Sequence, residues 1–272
     1  ALDLCARVLV DPGDHVVVEE PGYPDARQLF TAAGASLRPV AVDADGLRVS
    51  EIPSSVRLAH VTPSHQYPSG VSLSLARRLE LLAWARARQA VVIENDYDSE
   101  FRYVGAPLPS LQGLSDVSHV VYVGTFSIAM FPGLRIGYLV LPPGLVEPFL
   151  RAKWSADRHT AQLEQAALAD FIREGHLARH IRRMRRVYKR RREALLDALE
   201  RHFGDRATVV GDAVGLHVVV RFDGPDMAAR AARRGVGLAS TRACYAGAAP
   251  ANEFVLRFSG VSERGLAEAV RR

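Results

Sequence analysis

The sequence contains very little lysine, little cysteine and no long uninterrupted apolar segment. Of its 35 lysine and arginine residues only Lys153 and Lys189 are lysines, so few positions can supply a reactive side-chain amine. Cys5 and Cys244 are too few and too far apart in sequence to predict a disulfide framework or a zinc site. Apolar runs stop well short of the roughly 20 residues that a membrane span needs, and the first residues show no secretory signal. We therefore expect a globular, cytoplasmic protein without a bound metal or a membrane segment.

The first half of the chain alternates short apolar strands with helical segments. With 272 residues and 48% hydrophobic content, the chain is long enough for a large core and for one large and one small lobe. Strands are predicted at residues 16–18, 56–61, 90–94, 120–123 and 136–140, and helices at 25–33, at 73–88 and from 143 onward. This alternation predicts an α/β fold with a mostly parallel sheet covered by helices on both faces. In such sheets the chemistry gathers at the carboxyl ends of the strands.

The second half follows a different pattern. Residues 145–203 are almost entirely helical, after which strands are predicted at 208–210, 216–222 and 254–258 and helices at 227–234 and 262–272. This order indicates a small α+β lobe that follows a long connecting helix. We therefore divide the chain into a partial large domain (1–150), connecting helices (151–203) and a small C-terminal domain (204–272).

Most of the excess positive charge lies in one segment. The formal net charge is +5, and basic residues are densest at residues 179–192. Apolar residues recur there at helical spacing, at Leu177, Ile181, Met184 and Tyr188. This pattern is typical of an amphipathic helix with a solvated basic face, which we favour over direct contact with DNA because no recognition-helix motif accompanies it. A nucleic-acid-binding module that uses residues 182–192 is the alternative.

Four motifs follow one another along the chain, at residues 21–24, 62–70, 94–103 and 124–138. In this order and spacing they resemble the aminotransferase-like domain of MocR/GabR-type transcriptional regulators, and the resemblance covers essentially the whole chain. Those regulators are bacterial GntR-family proteins with an N-terminal winged helix and a C-terminal domain related to pyridoxal-phosphate (PLP) enzymes of fold type I. The resemblance implies that fold, PLP as cofactor, and a homodimer that builds each site at a subunit boundary.

The resemblance also assigns residues to the ring and to the phosphate of the cofactor. Tyr23 matches the aromatic residue that stacks on the pyridine ring, although a turn tyrosine between two prolines is the alternative. Tyr97 matches the phenol that bonds the cofactor's 3-oxygen. Thr125, Ser127 and Arg135 match the hydroxyls and the guanidinium that hold the phosphate, a task suited to charge-assisted hydrogen bonds.

Three further residues are placed by the same resemblance. It implies that Tyr67 and His65 lie near the pocket. Arg257 matches the arginine that binds the carboxylate of a substrate or effector. A strand arginine that points to a solvated face, or that forms a structural ion pair, is the alternative for Arg257, and we favour the ligand role.

The sequence departs from the family pattern at the cofactor lysine. Ile128 occupies the position of the lysine that links PLP as a Schiff base and later carries the substrate's proton. Isoleucine can do neither, and Lys153 and Lys189 lie in a later helical region. We therefore expect the chain to be unable to form the lysine–PLP imine, so that any PLP is held non-covalently.

A second departure concerns the acid that faces the pyridine nitrogen. Asn95 stands where the family has an aspartate, and an amide can hydrogen-bond the ring nitrogen but cannot supply a charge. Asp96 is the weaker candidate for that role, because neighbouring residues of a strand point to opposite faces.

A third departure is at the start of the chain. The family's winged helix, linker and early large-domain residues are not among these 272 residues, and the loop that meets the phosphate would precede Ala1. DNA contact, if the family pattern holds, would come from that winged helix.

Two functional hypotheses follow from the resemblance. The first is an effector- and PLP-binding domain of a MocR-type regulator, which senses a small carboxylate or amino acid. The second is a PLP-dependent aminotransferase that acts on an amino acid and has an altered lysine position. The sequence does not distinguish an amino acid from GABA, taurine or a vitamin-like aldehyde as the effector.

Overall fold

The computed structural model describes residues 1–114, 119–211 and 213–272. The first half of the chain contains a seven-stranded sheet. Its strands are β1 (His15–Glu20), β2 (Ser36–Asp43), β3 (Gly46–Leu47), β4 (Leu58–Val61), β5 (Val91–Asp96), β6 (Val120–Thr125) and β7 (Gly137–Val140). They lie in the order β3-β2-β1-β4-β5-β6-β7. The neighbours from β2 to β6 are parallel, whereas β3 and β7 are antiparallel edge strands.

Helices cover both faces of this sheet. On one face lie α1 (Leu2–Leu9), α2 (Pro24–Ala32) and α6 (Val146–Asp157), and on the other α3 (Leu75–Arg88) and α4 (Leu111–Leu114). The short α5 (Phe126–Ala129) follows β6, and α7 (Gln162–Arg173) and α8 (His176–Phe203) lead into the second half of the chain. Successive residues of β1 alternate between the faces, so that Val17 packs in one buried cluster with α3 and Val16 in another with α1 and α2. Burial of both faces explains why the central strands are continuously apolar.

The second half of the chain builds a smaller lobe. A four-stranded antiparallel sheet has the order β10-β11-β9-β8, with β8 (Ala207–Val210), β9 (His217–Phe222), β10 (Ala239–Ser240) and β11 (Glu253–Arg257). The end of α8 packs on it with α9 (Met227–Ala232) and α10 (Glu263–Arg271), and Leu195, Leu199 and Phe258 lie in the shared core. The predicted α+β lobe is confirmed. Short 3-10 turns are at Val49–Glu51, Pro132–Leu134, Pro143–Leu145, Gly204–Arg206 and Thr241–Cys244.

The two lobes meet along the segment that leads into β9. The Gly215 amide donates to the Phe101 carbonyl at 2.8 Å, and the Tyr103 amide donates to the Ala213 carbonyl at 2.8 Å. Gly215 has φ +82°, and a Cβ built there would lie 2.0 Å from Cε1 of His65. Glycine is required at this position both by the backbone conformation and by the close approach of the lobes.

The predicted strands of the large sheet are confirmed, with ends that differ by at most two residues. The two-residue strand β3 was not predicted, and neither was β2. Its sequence contains Arg38 and Pro39 and does not form an apolar run. The predicted amphipathic helix is confirmed as part of α8, with Ile181 half-buried and Arg182 and Arg183 exposed. Among the residues that the structure describes, no helix is both long and apolar enough to cross a membrane.

Candidate cofactor and ligand site

An open cavity of about 610 Å³ lies at the carboxyl ends of the central parallel strands, where β9 and β11 of the small lobe face it. Ligand sites of α/β sheets occur at these strand ends, and the volume falls in the usual range for small-molecule pockets. Nine residues named from the sequence line this one cavity: Tyr23, Tyr67, Asn95, Tyr97, Thr125, Ser127, Ile128, Arg135 and Arg257. His65 lies behind the wall, because it is buried and does not line the cavity.

One end of the cavity offers hydrogen-bond donors. Thr125 caps α5 in an extended conformation, and its Oγ1 accepts from the Ser127 amide at 3.1 Å, which leaves its hydroxyl proton able to donate. Arg135 follows a 3-10 turn in the left-handed conformation (φ +52°). Its guanidinium forms no ion pair with a carboxylate in the described parts of the chain. Hydroxyl and guanidinium donors at one end suit an anionic group such as a phosphate.

The cavity wall carries an aliphatic side chain at the position where the resemblance predicts an amine. Ile128 lies on α5 and is half-buried against the cavity. The Lys153 ammonium pairs with Asp157 on α6, and the Lys189 nitrogen lies 3.9 Å from a Glu193 carboxylate oxygen on α8. Neither of these two lysines lines the cavity.

Asn95 is the buried polar residue at the end of β5. Its Nδ2 lies 3.3 Å from Nε2 of His60, which comes from the adjacent strand β4 and is 2% exposed. Burial lowers the pKa of His60 to about 4, so the imidazole is neutral and can accept from the amide. The Asp96 carboxylate does not line the cavity and instead accepts from Tyr122 (2.8 Å) and Ser99 (2.7 Å). An uncharged amide therefore stands at this point of the wall.

Aromatic and imidazole rings form one side of the cavity. The Tyr23 and Tyr67 rings meet edge to face at 5.5 Å, and Tyr67 lies 5.4 Å from His217. The Tyr97 hydroxyl donates to the His65 carbonyl at 2.9 Å, which fixes the phenol and leaves its oxygen lone pairs to accept. Flat faces and a fixed phenol suit an aromatic ligand with a hydroxyl group.

A histidine–carboxylate pair supports that wall from behind. Nδ1 of His65 lies 2.9 Å from both carboxylate oxygens of Asp98, and both residues are almost fully buried. His217 contacts the Pro68 carbonyl through Nε2 at 3.1 Å. The potential metal-ligand atoms of His65, Asp98 and His217 lie within 4.8 Å of one another. However, the planes of the two imidazole rings differ by only 34° and their centroids lie 4.7 Å apart. The rings are therefore more nearly stacked than directed at one point. The sequence interpretation had not singled out Asp98 or His217, because no local pattern marks either residue.

Arg257 enters the cavity from the small lobe. It lies on β11, directly opposite His217 of β9. The nearby Arg257 charge favours the Tyr67 phenolate, but burial is the larger effect and raises the pKa of Tyr67. Within the described ranges no carboxylate pairs with Arg257. Arg257 is exposed to solvent and lines the cavity, so the structure gives no support to a structural ion pair, and the ligand role stays a prediction beside that of a solvated strand arginine.

The wall fits the outline of PLP but not its covalent attachment. Donors at one end, aromatic faces and a fixed phenol are suitable for a phosphorylated hydroxypyridine. Ile128 and Asn95 supply neither an amine nor a charge. The residues present therefore fit a non-covalently held group.

The whole sequence, residues 1–272, matches the family described as aminotransferase class I and II. The probable rhizopine catabolism regulatory protein MocR of Rhizobium meliloti is 39% identical over 275 residues, which cover 99% of this chain and 56% of that protein. The chain spans little more than half the length of the first curated relatives that it matches.

Solved structures give the same result for the fold. A multiple substrate aminotransferase from Thermococcus profundus is 32% identical, with a TM-score of 0.91 over 99% of this chain and 70% of that one. The α-aminoadipate aminotransferase LysN from Thermus thermophilus, complexed with N-(5'-phosphopyridoxyl)-L-leucine, is 29% identical, with a TM-score of 0.91 over 99% of this chain and 72% of that one. The chain therefore belongs to the aminotransferase class I and II family, has the PLP-dependent fold-type I architecture, and has MocR-type regulators among its relatives.

Proposed function

We propose that the chain is the effector- and PLP-binding domain of a MocR-type transcriptional regulator and that it holds PLP without a covalent bond. The observation that carries this proposal is Ile128, which lines the cavity at the lysine position. The regulator relatives support the biological role. In the complete regulator, we assign DNA contact to a winged helix outside these residues and expect a homodimer that responds to a small carboxylate or amino acid.

Each cavity residue has a defined task in this proposal. Arg135, Thr125 and Ser127 bind the phosphate, Tyr23 stacks on the ring, and Tyr97 accepts from the 3-hydroxyl. Asn95 hydrogen-bonds the ring nitrogen without charging it. When bound, PLP supplies an electrophilic aldehyde and an electron-withdrawing ring. In the proposed division of the chain, residues 1–150 hold most of this site, 151–203 connect, and 204–272 contribute Arg257.

Borohydride reduction distinguishes covalent from non-covalent PLP, because it converts an imine link into a stable covalent label. The chain is titrated with PLP by isothermal calorimetry, and a second sample is treated with PLP and borohydride and then mapped by peptide mass spectrometry. We expect saturable binding but no fixed label on the cavity peptides. Arg135→Ala should weaken binding about 10- to 100-fold, because a charge-assisted contact to the phosphate is lost. Arg182→Ala, on the exposed face of α8, is the matched control.

A fixed label on a cavity peptide, or transamination by the unaltered chain, would contradict the proposal. Binding that is the same in the Arg135→Ala and Arg182→Ala variants would show that PLP lies elsewhere.

A working aminotransferase with an altered lysine position is the second candidate, and the similarity to solved aminotransferases favours it. Ile128→Lys with Asn95→Asp restores both chemical groups in the cavity. If the cavity retains the geometry of an enzyme, this double variant should form a borohydride-fixed link at position 128 and transaminate an amino acid. A link without turnover would favour the ligand-binding role.

A further inference from the structure

The first half of α8 carries basic residues without any acidic ones. Residues 176–192 include nine lysines and arginines and no aspartate or glutamate. Arg179, Arg183 and Arg186 recur there at helical spacing and are exposed, so they form one row, which we call the arginine stripe. The row is about 10 Å long, because each helical residue adds about 1.5 Å.

The positive charge of the arginine stripe is not offset by neighbouring acids. Other helices of the chain pair opposite charges three or four residues apart: Asp3 with Arg7 on α1, Glu147 with Arg151 on α6, and Asp170 with Arg173 on α7. Within the described residues no carboxylate forms an ion pair with the arginine stripe, and the Glu174 carboxylate contacts His176 instead, at 3.0 Å. Like charges on successive turns of a helix repel one another, so this arrangement costs the free chain some stability.

The opposite side of α8 is held on the rest of the protein. The Tyr188 ring meets the Phe101 ring edge to face, with centroids 5.1 Å apart. Nε2 of His180 lies 3.1 Å from the Ala129 carbonyl oxygen. Because these contacts fix the inner side of the helix, the arginine stripe is presented to solvent on a rigid element.

A rigid row of exposed guanidinium groups fits a polyanion whose charges are closely and regularly spaced. Guanidinium groups bind phosphate oxygens in a bidentate manner. Each strand of duplex DNA carries one phosphate per about 3.4 Å of helix axis, so a row of 10 Å spans about three phosphates. Phosphate contacts carry no sequence information, so they need no recognition-helix motif. Binding is favourable although the arginines are solvated, because counterions leave the DNA.

Resting on the regulatory role in the proposed function, we infer that the arginine stripe of α8 binds the phosphate backbone of duplex DNA without sequence preference. This contact is additional to that of the winged helix. In the complete regulator the winged helix holds DNA close to the domain, so a weak second contact acts at a high effective concentration. The arginine stripe does not line the cavity, and its contact with DNA does not depend on PLP.

The salt dependence of DNA binding by this chain tests the inference. The unaltered chain is titrated against a fluorescently labelled duplex, and anisotropy is recorded at several salt concentrations. The logarithm of the association constant should fall linearly with the logarithm of the salt concentration, with a slope of about −3 or steeper for three neutralised phosphates. A second duplex of scrambled sequence should bind with the same affinity.

Two triple variants of equal charge assign the contact to the arginine stripe. Arg179→Gln, Arg183→Gln and Arg186→Gln together should weaken binding about 10- to 100-fold at low salt and make the slope shallower by about 2 to 3. The control removes three exposed arginines elsewhere, through Arg57→Gln, Arg88→Gln and Arg233→Gln. Both variants lower the formal net charge of +5 by three, but the control should weaken binding by less than about threefold.

A third variant keeps the charge of the arginine stripe. Lysine at all three positions should retain most of the affinity and of the salt slope, because each phosphate still meets a cation. Circular dichroism and urea denaturation check that every variant is folded. The glutamine variant of the arginine stripe should be at least as stable as the unaltered chain, since repulsion along the helix is removed.

The outcomes separate this inference from the proposed function. Lack of salt-dependent binding by the unaltered chain, or equal losses in the two glutamine variants, overturns the inference. Tighter binding of polyglutamate than of the duplex also overturns it and indicates an acidic protein as the partner. PLP calorimetry on the same variants tests the proposed function independently, and the arginine-stripe variants should bind PLP like the unaltered chain. Failure of PLP to bind, with DNA binding intact, counts against the proposed cofactor alone.

Discussion

The contact between Asn95 and His60 decides the charge at one side of the cavity. The amide nitrogen lies 3.3 Å from Nε2, and Asn95 is 8% exposed. A neutral amide beside a neutral imidazole places no net charge there. An aspartate at the same position would introduce a negative charge at hydrogen-bond distance from the ring, in surroundings that screen it poorly.

Asn95→Asp should raise the pKa of His60 above its value of about 4, because a nearby carboxylate stabilises the protonated imidazole. NMR titration of the histidine ring protons measures this change. Asp96→Asn is the matched control, since the Asp96 carboxylate contacts Tyr122 and Ser99 rather than His60. An unchanged pKa of His60 in Asn95→Asp would mean that the introduced carboxylate turns away from β4.

The residues of the ordered motifs could be placed in one pocket through the family resemblance, and the motifs lie where parallel strands end at the same edge of the sheet. The residues that contact them could not be predicted in this way. His60 contacts Asn95 only because β4 and β5 are neighbours in register, and His217 reaches the cavity from the other lobe. Such contacts depend on tertiary packing that no local spacing encodes.

At the scale of elements, the same distinction applies to strands. The buried strands β1, β5 and β6 are predictable because burial on both faces demands an apolar run. β2 contains Arg38 and Pro39 and is partly exposed, so pairing rather than composition makes it a strand. β3 and β10 have two residues each and provide too little pattern to recognise.

The segment before β9 is sensitive to the addition of a single methyl group. In Gly215→Ala the new Cβ would lie 2.0 Å from Cε1 of His65 and 2.4 Å from Oδ2 of Asp98, at φ +82°. Gly224→Ala is the matched control, because Gly224 has φ +93° but nothing within 4 Å of the new Cβ. Both substitutions place an alanine at a positive φ, but only Gly215→Ala also brings the new Cβ into contact with other side chains.

We expect Gly224→Ala to lower the free energy of unfolding by about 1–2 kcal/mol. Gly215→Ala should lower it by roughly 1–3 kcal/mol more, the usual cost of overpacking. Urea denaturation of both variants measures the difference. Equal losses would mean that His65 moves aside without cost.

For the molecule as a whole, buried ionisable groups of opposite type make stability depend on pH in opposite directions. Burial lowers the pKa of His60 to about 4 and that of His217 to about 3, so the histidines reduce stability as the pH falls below 6.5. Burial raises the pKa of Glu19 and of Glu100 to about 7. These acids keep their protons in the fold when the unfolded chain has lost them, so they reduce stability as the pH rises from 4.5 to about 7.

Glu19 allows this effect to be isolated. Its Oε2 accepts from the backbone amide of Thr62 (3.2 Å), the Thr62 hydroxyl (2.6 Å) and the side-chain amide of Gln66 (3.3 Å). These bonds lower the pKa of Glu19, but burial raises it by more. Glu19→Gln keeps an oxygen for the same donors and removes the titration. The stability of the unaltered chain minus that of the variant should fall by about 3 kcal/mol between pH 4.5 and pH 8, while the histidine and Glu100 contributions cancel in the difference.

Urea denaturation at several pH values from 4.5 to 8 measures this difference. Glu164→Gln, at an exposed glutamate of α7, is the matched control. A difference curve for Glu19→Gln that is flat over this range would mean that the three donated hydrogen bonds keep the Glu19 carboxylate ionised in the fold. The pKa of Glu19 would then be no higher in the fold than its ordinary value of 4.5, and the carboxylate would cost no stability as the pH rises.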